Sequence, residues 1–296
     1  MEKEILELIG NTPVINLTFD DIEIKLKLES RNLTGSIKAR TVLGMIQKAE
    51  KEGILKENST IVEPTSGNTG IAISMLGRLK GYNVKIVMPE TMSDERKKEI
   101  KSYGAELILT SGDQGMKGAI EKAEEIIDNN ENYVYLDQFR NEANSEIHYK
   151  TTGKEIVNQV PDLDYFIEGV GTGGSITGIG KRLKEETDAK IYAIEPEESA
   201  VISGNDPGAH KIQGIGAGFI PEIFDTDVLD GIIKVNSEEA FEMTKKIRDK
   251  YGLLFGLSTG ANVKGALKLA KMFKNKKILT INCDIGERYL STDVFI

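Results

Sequence analysis

The chain has 296 residues, a formal net charge of −9 at pH 7 and a hydrophobic fraction of 39%, values ordinary for a globular protein of one large or two moderate domains. The acidic balance argues against a nucleic-acid partner, no apolar run approaches the ~20 residues of a membrane span, and the first residues lack a signal-peptide pattern. A single cysteine, Cys283, excludes an internal disulfide and leads us to expect a cytoplasmic protein; with only two histidines, a metal centre has little support.

The first predicted elements lead to a lysine at the start of a helix. A short helix and a turn precede a strand at residues 14–17, and the alternating residues 22–28 predict a half-buried second strand. Thr34-Gly35-Ser36 is a turn and helix-start signal, so Lys38 would lie in the first turn of a helix over residues 37–50. The positive end of the helix dipole disfavours a charged amine there, which suits a nucleophile or a Schiff-base lysine. A solvated surface lysine is the commoner explanation of such a position.

From about residue 60 the chain alternates between short apolar strands and amphipathic helices. The predicted strands are residues 61–62, 84–88, 107–109, 133–136, 165–167, 191–194, 232–235 and 278–281. The predicted helices are residues 71–79, 94–102, 116–128, 150–160, 176–186, 238–250 and 261–273. Ser237 is the predicted cap of the helix at residues 238–250, and Gly252 its end. This order predicts an α/β fold with mostly parallel sheets and a domain division near residue 145.

Three turns before helices are rich in glycine and hydroxyl groups, and ligands of α/β sheets bind where strand-to-helix turns gather. Residues 63–70 read Glu-Pro-Thr-Ser-Gly-Asn-Thr-Gly and offer N–H groups, hydroxyls and an amide to a carboxylate or phosphate. Residues 255–262 contain Ser258, whose position before a helix is explained equally well by a capping role or by contact with a ligand.

The remaining turn, residues 169–178, leaves two interpretations open. It matches G-x-G-x-x-G at Gly169, Gly171 and Gly174, and Glu195 follows at the distance expected of a ribose-binding acid in a dinucleotide site. Two further hydroxyl side chains and a fourth glycine in the turn are better suited to one terminal phosphate.

Together, these segments resemble the cysteine synthase (O-acetylserine sulfhydrylase) family of fold type II, tryptophan synthase β-like pyridoxal phosphate enzymes. The matching segments are residues 9–13, 35–38, 64–70, 138–139, 151–153, 171–178, 210–221, 258–260 and 286–292. The resemblance implies two three-layer αβα domains, a smaller mobile one of residues 38–145 and a larger one of residues 1–37 plus 146–296 that carries the phosphate loop. It also implies a homodimer and allows a serine acetyltransferase partner.

The resemblance implies a role for each matched residue. Lys38 would hold pyridoxal 5′-phosphate as a Schiff base and move the substrate's α-proton. The other cofactor contacts would be Asn68, Gly171, Thr172, Gly173, Gly174, Ser175 and Ser258. The substrate contacts, mainly to its carboxylate, would be Thr65, Ser66, Asn68, Thr69 and Gln138.

The implied reaction is a β-replacement that forms L-cysteine from O-acetyl-L-serine and sulfide by way of an α-aminoacrylate. A relative that consumes cysteine, releases H₂S and makes serine or lanthionine shares every motif and stays the alternative; an NAD-dependent dehydrogenase is a remote one. The sequence departs from the family where prolines are common, at Leu33 and within residues 141–145. Losing prolines loosens both segments. Residues 214–221 match the sulfhydrylase form.

Overall fold

The computed structural model describes residues 2–65, 67–292 and 294–295. The helices are α1 (Glu2–Leu6), α2 (Lys38–Lys51), α3 (Asn68–Lys80), α4 (Asp94–Ser102), α5 (Gly115–Asp128), α6 (Ala143–His148), α7 (Lys154–Gln159), α8 (Gly174–Glu186), α9 (Ser237–Tyr251) and α10 (Leu257–Met272). The strands are β1 (Val14–Phe19), β2 (Ile22–Leu28), β3 (Thr60–Pro64), β4 (Asn83–Pro89), β5 (Glu106–Thr110), β6 (Tyr133–Tyr135), β7 (Tyr165–Gly169), β8 (Lys190–Pro196), β9 (Gly231–Val235) and β10 (Ile278–Asn282). No helix in these described ranges is both long and apolar enough to cross a membrane.

The strands form two sheets. The six-stranded sheet has the order β1-β2-β10-β7-β8-β9 and is parallel except for the antiparallel pair β1–β2. The four-stranded sheet, β5-β4-β3-β6, is entirely parallel and comes from one continuous stretch of chain. In the larger sheet β2 pairs with β10, so that Leu26 lies opposite Thr280. This pairing joins two strands that are far apart in the sequence. The predicted α/β fold class with mostly parallel sheets is confirmed.

Helices cover both faces of the larger sheet because consecutive strand residues point to opposite faces. In β7, Phe166 packs in one apolar cluster with Ile179 of α8, and Ile167 packs in another with Ala261 of α10. Both β7 side chains are fully buried. A sheet that is buried on both faces by helices is the arrangement of a three-layer αβα unit. In such a unit the carboxyl ends of the strands, with the turns that follow them, are the places where a ligand can bind.

Several helix starts differ from the prediction, and α3 and α10 begin at Asn68 and Leu257, before the predicted residues 71 and 261. Instead of one helix at residues 150–160, α6 begins at Ala143, and a π-helical turn, Tyr149–Gly153, joins it to α7. The cap of α9 is Asn236, not Ser237, because Asn236 and Glu239 form a reciprocal capping box, with bonds of 2.9 and 3.2 Å. The predicted end of α9 at Gly252 is confirmed by its left-handed φ of 69°.

Candidate active site

The turns predicted to bind a ligand meet at the carboxyl ends of strands from both sheets. Residues 65–67 follow β3, and residues 170–173 follow β7. The turn before α10 lies beside the end of β10, where Phe255 forms a bridge with Ile285. This arrangement is the one in which α/β sheets bind ligands.

Lys38 is the first residue of α2, as predicted for the first turn, and is half-buried. The residues before it are fixed by the segment after β10. Ile37 N donates to Cys283 O at 2.9 Å, and Ser36 forms an antiparallel bridge with Asp284. Among the residues that the structure describes, the Lys38 amine has no hydrogen-bond or ion-pair partner, so no internal carboxylate competes with a ligand for it.

The turn after β3 brings three of the predicted substrate contacts together. Thr65 Oγ1 accepts a hydrogen bond from Gly67 N at 3.0 Å, and Thr69 Oγ1 donates to Gln138 Oε1 at 2.7 Å. Thr65, Thr69 and Gln138 are all buried. Gly67 has a φ of 148°, which favours glycine at this position. Ser66, also a predicted contact, lies outside the described residues.

A buried carboxylate holds the backbone of Gln138. The two carboxylate oxygens of Glu63, on β3, accept hydrogen bonds of 3.1 Å from the backbone N–H groups of Asp137 and Gln138. Burial raises the pKa of Glu63 to about 8, against the effect of these amide donors. From the sequence, Glu63 was predicted only as part of the turn, although its place at the end of a strand, which is fully buried, was an available signal.

Asn68, the first residue of α3, is held by residues near the end of the chain. Its Nδ2 donates to Asp284 Oδ2 at 2.8 Å, and its Oδ1 accepts from Arg288 Nη1 at 2.9 Å. Tyr289 Oη donates to the same Asp284 oxygen at 2.8 Å, and Arg288 also donates to both carboxylate oxygens of Glu99 on α4. We call Asp284, Arg288 and Tyr289 the C-terminal clamp. It links α3 and α4 to the segment that fixes Lys38.

The turn after β7 contains backbone donors without an internal acceptor. The backbone N–H groups of Thr172, Gly173 and Ser175 have no acceptor among the described residues. A Cβ at Gly171 would lie 2.4 Å from Gly214 O, so only glycine allows this close approach, and Gly173 has a left-handed φ of 80°. Free N–H groups at the start of a helix, with hydroxyls beside them, make an anion site.

Asn144 of α6 joins this turn to the neighbourhood of Gln138. Its Nδ2 donates to Thr172 Oγ1 at 3.0 Å and to Gln138 O at 2.8 Å, and its Oδ1 accepts from Thr41 Oγ1 at 3.1 Å. A Cβ at Gly174 would lie 2.3 Å from that Oδ1. No role for Asn144 was predicted from the sequence, although the surrounding residues 141–145 depart from the family pattern.

A histidine lies behind Asn144. The His148 ring shares hydrogen bonds of 3.1 Å with Thr41 Oγ1 through Nε2 and 2.9 Å with Thr152 Oγ1 through Nδ1. Burial lowers the pKa of His148 to about 3, and the positive charge of Arg40 contributes. The imidazole is therefore neutral and supports the site without taking part in proton transfer at neutral pH.

Ser258 is the second residue of α10 and is 4% exposed. It makes no capping hydrogen bond within the described part of the chain, so the cap interpretation of Ser258 is wrong. Its hydroxyl instead interacts with the Cys283 thiol, which also accepts a 3.5 Å contact from Asn262 Nδ2. Burial raises the pKa of the Cys283 thiol, and the charges of Glu168 and Asp284 add to the rise. The cysteine is a neutral thiol beside the site.

One buried acid at the end of β7 was missed. Glu168 is 2% exposed, and its Oε1 accepts a 2.7 Å hydrogen bond from Ser175 Oγ. Its Oε2 is buried and has no hydrogen-bond partner among the described residues. Burial raises the pKa of Glu168 to about 7, although the Ser175 hydrogen bond and the charge of Lys38 oppose the rise. An acid within the otherwise apolar strand Tyr165–Gly169 was the signal.

The acid that a dinucleotide site would need is engaged elsewhere. Glu195 Oε2 accepts from Ile202 N at 2.8 Å, and Glu195 Oε1 accepts from Ser203 Oγ. Both carboxylate oxygens therefore serve the loop after β8, and the dehydrogenase interpretation loses its ribose contact.

The donor set fits pyridoxal phosphate. Within the described ranges, N–H groups without an acceptor and nearby hydroxyls suit the phosphate, and an amine without a partner suits the aldehyde. A buried serine suits a neutral ring nitrogen. The model of the family described as "Pyridoxal-phosphate dependent enzyme" matches residues 5–284. The chain belongs to this family.

Similar proteins narrow the family. The chain is 48% identical over 299 residues to a cysteine synthase of Staphylococcus aureus (strain N315), covering 98% of this chain and 96% of the relative. A solved cysteine synthase of Entamoeba histolytica shares 41% identity with a TM-score of 0.93, covering 98% and 90% of the two chains. A solved hydrogen sulfide-producing enzyme of Fusobacterium nucleatum shares 43% identity, also with a TM-score of 0.93, covering 97% and 99%. The resemblance stated from the sequence is confirmed, and so is pyridoxal phosphate as the cofactor.

Proposed function

We propose that this protein is a cysteine synthase that forms L-cysteine from O-acetyl-L-serine and sulfide by β-replacement. The observation that carries the proposal is the Lys38 amine, which has no partner in the described part of the chain and lies beside two turns whose donors suit a carboxylate and a phosphate. The likeness to cysteine synthases over nearly the whole chain supports the same activity.

When bound, pyridoxal phosphate supplies an electrophilic carbon and a conjugated ring that stabilise negative charge at the substrate's Cα. Lys38 holds the cofactor and, once the substrate amine has replaced it, takes the proton from Cα and later returns it. The neighbouring hydrogen bond from Ile37 to Cys283 keeps the lysine backbone in place.

The turn after β3 orients the substrate. We assign the α-carboxylate to Thr65, Ser66, Thr69 and Gln138, with Asn68 at its edge. Thr69 and Gln138 are already hydrogen-bonded to each other, so little side-chain entropy is lost when the carboxylate binds. The burial of this turn also keeps water away from the reacting carbon.

The remaining assigned contacts face the cofactor. Gly171, Thr172, Gly173, Gly174 and Ser175 would receive its phosphate, and the hydroxyl of Ser258 its ring nitrogen. A primary amide carries two N–H hydrogens, so Asn68 can keep its bond to Asp284 and still donate to the phenolic oxygen. A neutral serine leaves the ring nitrogen unprotonated, which limits charge delocalisation and favours loss of a β-leaving group.

We also carry over the family's division into a smaller unit, residues 38–145, and a larger unit, residues 1–37 plus 146–296. The four-stranded sheet lies within the first range and the six-stranded sheet within the second, which supports the division. Closure of the smaller unit would follow carboxylate binding at residues 65–69. A homodimer, a serine acetyltransferase partner and a cytoplasmic location belong to the same proposal; light scattering of the purified protein tests the first of these.

The test of the chemistry is borohydride reduction followed by peptide mass spectrometry. The cofactor should be attached at Lys38, and Lys38→Ala should lose turnover. Lys51→Ala, an exposed position on the same helix, should behave as wild type. Attachment at another lysine would overturn the assignment.

A cysteine-consuming, H₂S-releasing activity is the second candidate, favoured by the similarity to the F. nucleatum enzyme. Incubation with O-acetylserine plus sulfide, and separately with cysteine alone, distinguishes the two by their products. Rapid cysteine formation in the first mixture supports the synthase. Faster H₂S release from the second would replace it with the cysteine-consuming enzyme.

A further inference from the structure

Glu168 and Ser175 form a hydrogen-bonded pair directly under the turn assigned to the phosphate. Glu168 is the last side chain of β7 before Gly169, and Ser175 is in the first turn of α8. Ser175 Oγ donates to Glu168 Oε1 at 2.7 Å, while Glu168 Oε2 is buried without a partner among the described residues. The charged or titratable groups facing this carboxyl from neighbouring elements are Lys38 on α2, Glu29 at the end of β2, and Cys283 after β10.

The single hydroxyl hydrogen of Ser175 cannot be donated to both a carboxylate and a phosphate. An ionised carboxylate only accepts hydrogen bonds, so an ionised Glu168 takes the Ser175 hydrogen. Only the lone pairs of Ser175 Oγ then remain for an anion in the turn, and they cannot donate to it. A protonated Glu168 can instead donate to Ser175 Oγ. The serine hydrogen is then free to point at the phosphate, and the like-charge repulsion between carboxylate and phosphate disappears.

We propose that Glu168 is a positioning residue that takes up a proton from solvent when a phosphate ester enters the turn after β7, and that it passes a hydrogen bond to the phosphate through Ser175. This inference rests on the proposed role of residues 171–175. The buried, unpartnered Oε2 is consistent with it, because a protonated carboxyl leaves less uncompensated charge in the interior than a carboxylate does.

The pKa of Glu168, about 7 without a ligand, sets the pH window. At pH 8 the carboxyl is mostly ionised before binding and protonated after it, so close to one proton is taken up. Below pH 6 it is protonated in both states, so uptake vanishes. The phosphate, with its own second pKa of about 6, is a dianion above pH 7 and does not account for uptake there.

The test is calorimetric titration of the full-length protein, freed of cofactor, with pyridoxine 5′-phosphate, which has no aldehyde and cannot react with Lys38. The dependence of the binding enthalpy on the buffer's ionisation enthalpy counts the protons. At pH 8 we expect wild type to take up nearly one proton more than Glu168→Gln, a difference that cancels any titration of the probe's own ring and phosphate. Relative to the variant, the wild-type association constant should fall about tenfold per pH unit above pH 8, where the free carboxyl is almost fully ionised.

Glu195→Gln is the matched control, since Glu195 is equally buried and also accepts from a serine, Ser203, but lies after β8. Glu195→Gln should take up as many protons on binding as wild type. Lys38→Ala should also take up a proton, but over a higher pH range, because the positive charge that opposes protonation of Glu168 is removed.

Each outcome separates the proposals. Binding with the same net proton uptake in wild type and Glu168→Gln overturns the role of Glu168 and leaves the phosphate turn intact. Failure of wild type to bind the ester at all overturns the phosphate turn and this inference with it. Should Glu168→Gln not fold, the infrared difference spectrum of wild type decides: a carboxylic-acid band gained on binding at pH 8 supports the proposal, and its absence refutes it.

Discussion

Arg288 donates a 2.9 Å hydrogen bond to Asn68 Oδ1 across 220 positions of sequence. The same guanidinium donates to Thr34 O at 2.6 Å and to the Glu99 carboxylate, and its side chain is 2% exposed. The C-terminal clamp thereby aligns the helix after the carboxylate turn with the loop that leads to Lys38.

Arg288→Lys should weaken both cofactor and substrate binding because an ammonium cannot reproduce the planar, forked contacts of a guanidinium. The loss of one or two charge-assisted hydrogen bonds is worth about 1.5–3 kcal/mol each, so the catalytic efficiency should fall by at least one order of magnitude. Steady-state kinetics measure the fall in catalytic efficiency, and the dissociation constant of the cofactor measures the weaker binding. Arg140→Lys, at an ion pair that is largely exposed, is the control and should change neither.

Gln138→Ala should slow the half-reaction with the amino-acid substrate and spare the addition of sulfide. The variant loses the side chain that Thr69 orients, and about 1.5–3 kcal/mol per hydrogen bond to a charged carboxylate corresponds to roughly one to two decades in the second-order rate. Stopped-flow spectroscopy separates the two steps, and the exposed Gln47→Ala serves as control. A variant slowed only in sulfide addition would contradict the carboxylate assignment.

Ser258→Ala and Ser258→Asp should diverge. The alanine variant loses one neutral hydrogen bond, about 0.5–1.5 kcal/mol, and should remain active. A carboxylate at this buried position would favour a protonated ring nitrogen and spread negative charge into the ring, so loss of the β-leaving group should slow. Turnover of the cofactor-loaded variants gives the answer, and equal rates for aspartate and wild type would remove Ser258 from the ring nitrogen.

The pH dependence of stability should report His148. With its pKa lowered to about 3 by burial, the folded chain keeps the ring neutral, while the unfolded chain takes a proton below its ordinary pKa of 6.5. The stabilisation is therefore present above pH 6.5 and decreases by up to about 1.4 kcal/mol per pH unit as the pH falls toward 3.

Wild type is compared with His148→Gln because Glu63 and Glu168 change the pH dependence of stability in the opposite direction, and their effect is the same in both proteins. Their pKa values are raised by burial to about 8 and about 7, so each stabilises the fold most below pH 4.5 and loses that effect as the pH rises through its folded value. Urea unfolding from pH 7 to 4 should show the wild-type advantage over His148→Gln shrinking steadily. A pH-independent difference would count against the neutral buried ring.

The parts of the site that could be predicted from the sequence are those whose signals lie within a few neighbouring residues. Lys38 stands where a turn meets a helix start, and the ligand turns carry glycine and hydroxyl residues whose spacing is visible in one dimension. The start of α6 was missed for a physical reason. Asn144 and His148 are polar residues at buried helical positions, which interrupts the apolar period. Their burial depends on hydrogen bonds to residues distant in sequence, such as Thr41 and Thr172.

Residues that act through distant partners were also out of reach. Arg288 was noticed only as part of a matching segment, because its partners Thr34, Asn68 and Glu99 are separated from it by most of the chain. Glu168 is next to the phosphate turn in sequence, yet its importance depends on burial and on an unsatisfied oxygen, which no pattern of hydrophobicity reports.

The pairing of β2 with β10 bears on how the protein is made. The four-stranded sheet is complete once the ribosome has passed Tyr135, but β2 has no parallel neighbour until Ile278–Asn282 emerges. The bond from Ile37 to Cys283 is formed later still. Lys38 is thus translated long before the segment that fixes it, so a nascent chain cannot capture an aldehyde at the finished site until Cys283 has emerged.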